Sequence, residues 1–530
     1  MVSALVAIVG LGACDGCHAA REDHPAAPAA ETPPSVRLYL LSDLAGAIEP
    51  CGCTKDQLGG LSHFGAWLRQ GAGRATELVA SAGPLFFMDE RLDPERADQD
   101  RAKADALARA LSDLDWAAMA PGHNDWALGT EGLARLAGNA RATVIVPDPN
   151  RPPFSDHSIR DAGSGIKVGF VGYGQPESAA DESALAVVRR GVDHAKAEGA
   201  NVLIALAAVG RGEAKRMADA IPELTAVVVG SARTDGDANT EAPPIERVGD
   251  VLIIQSANHL QTVAVLDLYV REAPSPGHVI RFADATGIDL ASRRRDLARR
   301  IDELHVRISA WERDKDANAA DVEARRRDLA KLQAELESTE AKPPPKSGSF
   351  FRYAMKEVRE SLGSDPAVDD LLRSYYRAVD EHNRIEFANR LPPPAAPGEA
   401  SYVGIETCSN CHAAARRVWD GTAHARAYGT LSSQFKEFNL ECVSCHVTGY
   451  ERPGGSTVTH VEGLRNVQCE VCHGPGSKHA ARPQDKALIV ATPPLSACLA
   501  CHEPPHVEGF DAAAKLVAIL GPGHGMPETR

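Results

Sequence analysis

Along residues 36–270, short runs of β-branched and apolar residues alternate with stretches whose apolar positions recur every three or four residues. The runs at 36–41, 143–146, 166–171, 202–206, 227–229 and 251–254 predict strands, and the periodic stretches at 101–113 and 184–198 predict helices between them. Continuous apolar runs between amphipathic helices predict α/β layers around a largely buried sheet. Over 290–340 the pattern changes. Leu297, Ile301, Leu304, Ile308 and Trp311 step by four and three, and Val322, Leu329, Leu332 and Leu336 continue the stripe among dense Arg, Glu, Asp and Lys. That spacing predicts a coiled coil or helical hairpin over 286–342, broken near 314–321, serving as a spacer or a dimerisation rod. The prolines at 343–345 end it. Asp365 before Pro366 predicts an N-cap and a further helix inside a connector over 343–400, which closes in the Pro-rich stretch 391–397. Beyond 401 the chain turns irregular, rich in Gly and Pro and poor in large apolar residues.

The first thirteen residues are small and apolar and run into Cys14. Leu11, Gly12, Ala13 and Cys14 read as a lipobox, in which cleavage leaves a cysteine that is then lipidated. No Lys or Arg precedes Cys14, which fits a start internal to a longer signal. Residues 1–20 are therefore read as a signal and lipobox region, and the Pro/Ala-rich residues 21–35 as a flexible tether. Cys14, Cys17 and His18 also fit a haem-attachment spacing formally.

A length of 530 residues exceeds one core and predicts two or three domains. The net charge of −15 argues against nucleic acid, whose phosphates repel an acidic surface. The body of the chain holds no apolar run long enough to span a bilayer, so membrane contact is expected only through a lipid anchor.

The twelve cysteines carry the chemistry. Eight form four Cys-x-x-Cys pairs, each followed directly by histidine: Cys408, Cys411 and His412; Cys442, Cys445 and His446; Cys469, Cys472 and His473; Cys498, Cys501 and His502. Zinc also binds Cys-x-x-Cys pairs but has no use for a histidine after every one. Covalent haem does: two thiols add to the two vinyl groups, and the adjacent histidine turns back to the iron. Four covalent haems c, with His412, His446, His473 and His502 as proximal ligands, follow from the spacing. The porphyrins would supply much of the missing core, so this segment is expected not to fold without haem. Nine of the nineteen histidines lie beyond 401. His424, His479 and His524 are the leading candidates for the sixth iron position, with His460 behind them and His506 last. Bis-histidine ligation suits electron transfer, whereas an open iron permits catalysis.

On these residues the C-terminal quarter resembles a known family. Tyr402 to Gly404 with the first motif, Trp419 to His424, Cys442 to Tyr450 and Asn466 to Ser477 are similar to the tetrahaem cytochrome c family whose best-known member accepts electrons from hydroxylamine oxidation. The resemblance implies four close-packed haems, most of them bis-histidine and one five-coordinate.

Residues 36–270 in turn resemble the metallophosphoesterase domain of bacterial periplasmic 5′-nucleotidases. The resemblance rests on Leu41 to Gly46, Ala82 to Pro84, Gly122 to Gly129, Ile204 to Gly210 and Val229 to Thr234. Such enzymes hold two metals at strand ends for hydroxide attack on phosphorus. Matched position by position, Asp43 remains, but Ala45, Pro84, Ala208, Ala232 and Thr234 stand where ligands belong, and His123 and Asn124 are interchanged. No second metal is expected in the N-terminal domain, and no phosphoesterase activity. Cys51 and Cys53 lie after the first strand; a mutual disulfide would be strained. They remain either a redox or ligand site, with His63 and His123 in reach, or inert turn residues. Asp125, Trp126 and His259 carry only a core or surface reading.

The expected chain is multidomain: a metallophosphoesterase-like α/β sandwich (36–275), a helical coiled-coil connector (286–342), the connector helix and linker (343–400), and a mainly α and irregular tetrahaem cytochrome domain (401–530). It is expected on the periplasmic side of a bacterial membrane, lipid-anchored, exchanging electrons with redox partner proteins and open to dimerisation through the coiled coil. Electron transfer leads. A haem-dependent oxidoreductase acting on a small nitrogen or sulfur substrate, and a metal-dependent phosphohydrolase with a redox domain, remain alternatives.

Overall fold

The computed structural model describes residues 32–50, 57–71, 73, 75–114, 116–147, 153–174, 183–234, 238–313, 319–338, 345–503, 507 and 510–527. Cys14, Cys17, Cys51, Cys53 and His506 fall outside them.

Residues 34–530 form one unit. Its α/β part stacks two sheets. In chain order the first sheet contains β1 (Val36–Ser42), β2 (Thr76–Ala82), β3 (Trp116–Ala120), β4 (Val144–Ile145) and β5 (Phe154–Ser155). The second contains β6 (His157–Asp161), β7 (Lys167–Tyr173), β8 (Val202–Ala208), β9 (Ala226–Gly230), β10 (Glu246–Val248) and β11 (Val251–Ile254). β12 (Thr262–Tyr269), β13 (Ala283–Asp284) and β14 (Phe350–Glu357) return to the first. The orders are β13-β14-β12-β1-β2-β3-β4-β5 and β10-β11-β9-β8-β7-β6.

Alternation of side chains along each strand builds the layers. Leu38 and Leu40 of β1 meet Phe170, Ile204, Val228 and Leu252 between the sheets. Tyr39 and Leu41 point the other way, under α1 (Leu61–Gly71), α2 (Ala97–Leu111) and α3 (Gly129–Ala140). On the far side, Leu203, Ala205 and Ala207 of β8 pack on α4 (Ala184–Ala197) and α5 (Arg211–Ala220). Each fully buried Leu, Ile or Val contributes about 1.5–3 kcal/mol. The parallel β1–β2 and β7–β8 pairs agree with runs buried on both faces.

The apolar stripe over 290–340 closes on itself. In α6 (Ile288–Arg313) and α7 (Ala319–Glu337), Ile301 and Ile308 meet Leu329, flanked by Leu304, Val322, Leu332 and Leu336. Arg293–Glu335 and Arg326–Glu312 pairs cross the seam. The hairpin alternative holds, and its stripe is used within one chain.

The stretch expected as a plain connector differs from that expectation. Residues 350–357 form β14, antiparallel to β12 from Tyr269↔Phe350 to Thr262↔Glu357. Phe350 and Phe351 are buried, and Tyr269 stacks on Phe350 with centroids 4.4 Å apart. The helix announced by Asp365 is α8 (Pro366–Glu386), whose cap accepts from the Ala367 amide. Val368, Leu372, Tyr375, Tyr376 and Val379 place one face of α8 in the α/β core.

Candidate haem centre

The last quarter is short helices and turns: Ile405–Ser409, Ala413–Asp420, Ala427–Ser432, Val443–His446, Cys469–His473 and Ser477–Ala481. Its only described apolar cluster is small: Phe387, Tyr428, Val443, Val447, Val458 and Val461. Helices this brief do not stand alone, so side-chain bonds to backbone do much of the positioning. Glu470, inside the third motif and 1% exposed, accepts from the amides of Val403, Gly404 and Gly476 at 2.7–3.1 Å. Gln468 accepts from the Ile405 amide at 2.7 Å and donates to the Gly463 and Arg465 carbonyls. Together they strap the first motif to the third. Neither was singled out from sequence; the only signal was an acid between two attachment cysteines.

The attachment cysteines of different motifs lie side by side. A thiol–thiol hydrogen bond joins Cys408 to Cys469, raising the first and lowering the second, and another joins Cys445 to Cys501. These contacts bring the first motif to the third and the second to the fourth.

The proximal and candidate distal histidines come together in pairs. Ring centroids of His412 and His479 are 6.4 Å apart, those of His424 and His502 6.2 Å, and those of His473 and His524 6.2 Å. Rings in direct contact lie closer, as His502 and Phe510 do at 4.2 Å. An iron between two imidazoles needs about 2 Å to each nitrogen and about 1 Å more to each ring centre, about 6 Å in all. All three pairs meet that span.

Tautomers favour the same chemistry. Nδ1 of His446 bonds the Ala427 carbonyl at 2.6 Å, that of His473 the Val490 carbonyl at 2.6 Å, and that of His524 the Ile519 carbonyl at 2.8 Å. A carbonyl only accepts, so the proton sits on Nδ1 and the lone pair on Nε2 is the one that would serve a metal. Burial holds the His424 and His502 imidazoles below their usual range, with His502 adding to the effect at His424. Nδ1 of His479 is buried with no hydrogen-bond partner among the described residues. His424 is set by its own carbonyl, which accepts from Val467, and by Trp419 Nε1 donating to the Val467 carbonyl. His460 sits elsewhere, with Nδ1 at the Thr457 and Thr459 hydroxyls.

In the α/β part, the strand ends matched to metal ligands are filled by internal bonds. Asp43, just past β1, spends Oδ1 on the Ser231 amide at 2.7 Å and Oδ2 on the Ser231 hydroxyl at 2.9 Å. Gly83 has φ +85° beside it, and a Cβ there would fall 2.0 Å from Asp43 Oδ1. The Asn124 amide donates to the Met88 carbonyl and to Thr234, which donates back at 3.2 Å. Asp125 is fully buried and accepts from Leu85, Phe86 and Gly122 amides. Burial lifts it to about 7 against those donors, and lifts Asp43 to about 6. His259 is buried beside Asn239, and burial pushes it down to about 4. His63 is tied to the Gly363 carbonyl at 2.5 Å.

The two parts meet through polar contacts. Gln99 of α2, 2% exposed, donates to Asn439 and accepts from Asn383 and the Leu440 amide. Lys103 pairs with Glu441 at 2.9 Å, next to Cys442. Glu49 takes Tyr376 at 2.7 Å and Lys436 at 2.5 Å.

Comparison with known proteins places these observations. Residues 407–474 match the family model for cytochrome c554 and c-prime. Cytochrome c-554 of Nitrosomonas europaea is 35% identical over 94 residues, covering 15% of this chain and 40% of that protein. The chain thus spans less than half the length of this curated relative. Among solved structures, a 5′-nucleotidase precursor from Thermus thermophilus aligns over 70% of this chain and 62% of its own at 16% identity, with a TM-score of 0.40. Haemophilus influenzae NAD nucleotidase aligns over 70% and 63% at 12% identity, with a TM-score of 0.39.

Proposed function

We propose, from a C-terminal segment that is of cytochrome c554 type and binds covalent haem c, that this chain is an exported electron-transfer protein carrying four such haems. Haem iron supplies a one-electron couple. The chain's own residues do the rest. In this reading Cys408 and Cys411, Cys442 and Cys445, Cys469 and Cys472, and Cys498 and Cys501 fix four haems, with His412, His446, His473 and His502 as proximal ligands. His479, His424 and His524 complete the coordination opposite His412, His502 and His473.

The observation that carries the reading is the set of three histidine pairs at 6.2–6.4 Å. Two strong ligands per iron close it to small molecules and favour outer-sphere electron exchange with redox partner proteins. The pairing of the first motif with the third and of the second with the fourth supports haems near enough to exchange electrons. The test is spectroscopic. His424→Ala, His479→Ala and His524→Ala should each turn one haem high-spin, read by electron paramagnetic resonance. Spectra identical to wild type in all three would sink the distal assignment. Carbon monoxide binding to the reduced wild type decides the His446 site: no binding means that this iron also has a sixth ligand, whereas one molecule per chain makes that iron open and favours the oxidoreductase alternative.

The α/β part is read as a phosphoesterase-type fold without hydrolase activity, because Asp43 and Asn124 are committed to Ser231 and Thr234. Manganese- or zinc-dependent release of phosphate from a nucleoside monophosphate would overturn this. The membrane reading rests on Cys14: a Cys14→Ala protein should appear in the soluble periplasmic fraction. No helix among the described residues is long and apolar enough to cross a membrane. Cys51 and Cys53 keep their proposed role as a redox or ligand site. The hairpin packs its apolar stripe within one chain, and dimerisation through it remains a proposal.

A further inference from the structure

Four potential metal ligands meet where β6 begins and α4 ends. His157 opens the edge strand of the second sheet and Asp156 directly precedes it. His194 lies in the last turn of α4 and Glu198 is its C-cap, four residues on. That spacing sets the two on one helix face. Asp156 Oδ1 is 2.6 Å from His157 Nδ1, and its Oδ2 is 2.6 Å from His194 Nδ1. His157 Nε2 is 3.2 Å from Glu198 Oε1. Donor atoms of Asp156, His157 and His194 all lie within 4.8 Å of one another.

His157 thus has a carboxylate oxygen at each ring nitrogen. A neutral imidazole has a single N–H and can satisfy only one of them. The other contact sets a lone pair against a carboxylate oxygen unless a cation intervenes, either a second proton or a metal ion. The Asp156 and His157 side chains are 15% and 14% exposed, so they are held by packing. His194 and Glu198, at 52% and 63%, leave the cluster open to an ion from solvent.

We propose that Asp156, His157 and His194 bind one divalent transition-metal ion of the zinc type. Mixed imidazole and carboxylate donors suit that class rather than calcium or magnesium. The ion would pin the edge strand β6 to the end of α4. It would also be a second metal in the N-terminal domain, against the expectation drawn from the strand-end positions, and it uses none of them.

The test is zinc titration of the haem-loaded full chain after chelator treatment, by calorimetry and by metal analysis of the dialysed protein. The expected result is saturable uptake at this site, a raised thermal midpoint with zinc, and at least a tenfold loss of affinity in His194→Ala. Because His194 is half exposed, that variant keeps the fold. Asp156→Asn should lose about 10–100-fold. No saturable uptake by the wild type, or the same stoichiometry and affinity in His194→Ala, overturns the proposal. An unchanged haem spectrum in the variants separates this site from the histidines of the haem region.

Discussion

Asp43 carries the strongest electrostatic consequence of burial at the end of β1. Its carboxylate is buried and faces the Ser231 amide and hydroxyl rather than a cation. Burial raises its folded pKa from 3.8 to about 6 against those two bonds. A raised carboxylate binds more protons folded than unfolded, so its contribution is fully present below pH 3.8 and is lost as pH rises through about 6. Asp43→Asn keeps the shape and removes the titration. The thermal midpoint of the α/β part should then fall less between pH 4 and about pH 7 in the variant than in wild type. Parallel curves would contradict the burial argument. Asp125, raised to about 7, acts in the same direction over a higher window. The haem region uses the opposite device at Glu470, an acid whose oxygens are consumed by three backbone amides. Attachment motifs were legible at this scale because their chemistry is local. Glu470 and Gln468 were not, because nothing in a linear motif says which distant amide needs an acceptor.

Elements carry the junction between the two parts. Gln99 on α2 serves Asn439, Leu440 and Asn383 at once, so truncation strands several buried polar groups. Gln99→Ala should cost about 1–3 kcal/mol or more. Arg101→Ala, which breaks an exposed pair with Asp98, should stay within about 0.5 kcal/mol. Denaturant unfolding of the haem-loaded protein checks both, and equal effects would mean the Gln99 network bears no load. Strands at 36–42 and 202–208 were legible from their apolar runs. β2 and β3 were missed: Val79 and Met119 sit among Ala, Ser and Glu, residues with weak strand preference. β14 was missed because its partner β12 lies some eighty residues earlier, beyond the α6–α7 hairpin.

At the scale of the whole molecule, among the described residues the α/β part owns three extended apolar clusters and the haem region one small one. Protein produced without haem attachment should lose structure beyond residue 401, while the α/β part stays folded. Limited proteolysis would show this as a stable N-terminal fragment. Protection of the C-terminal quarter in the haem-free protein would mean that the polypeptide supplies its own core.

Sequence alone determined the haem c cofactor, the four Cys-x-x-Cys-His motifs and the alternation of strands and helices over 36–270, because covalent haem attachment and strand or helix periodicity are written in neighbouring residues. Tertiary structure decided which histidines lie beside His412, His473 and His502, and joined β14 and α8 to the sandwich. It also turned Asp43 and Asn124 inward and brought Asp156 and His157 to His194. Each of these depends on groups far apart in the chain, whose approach is set by packing and by buried hydrogen bonds that no local pattern encodes.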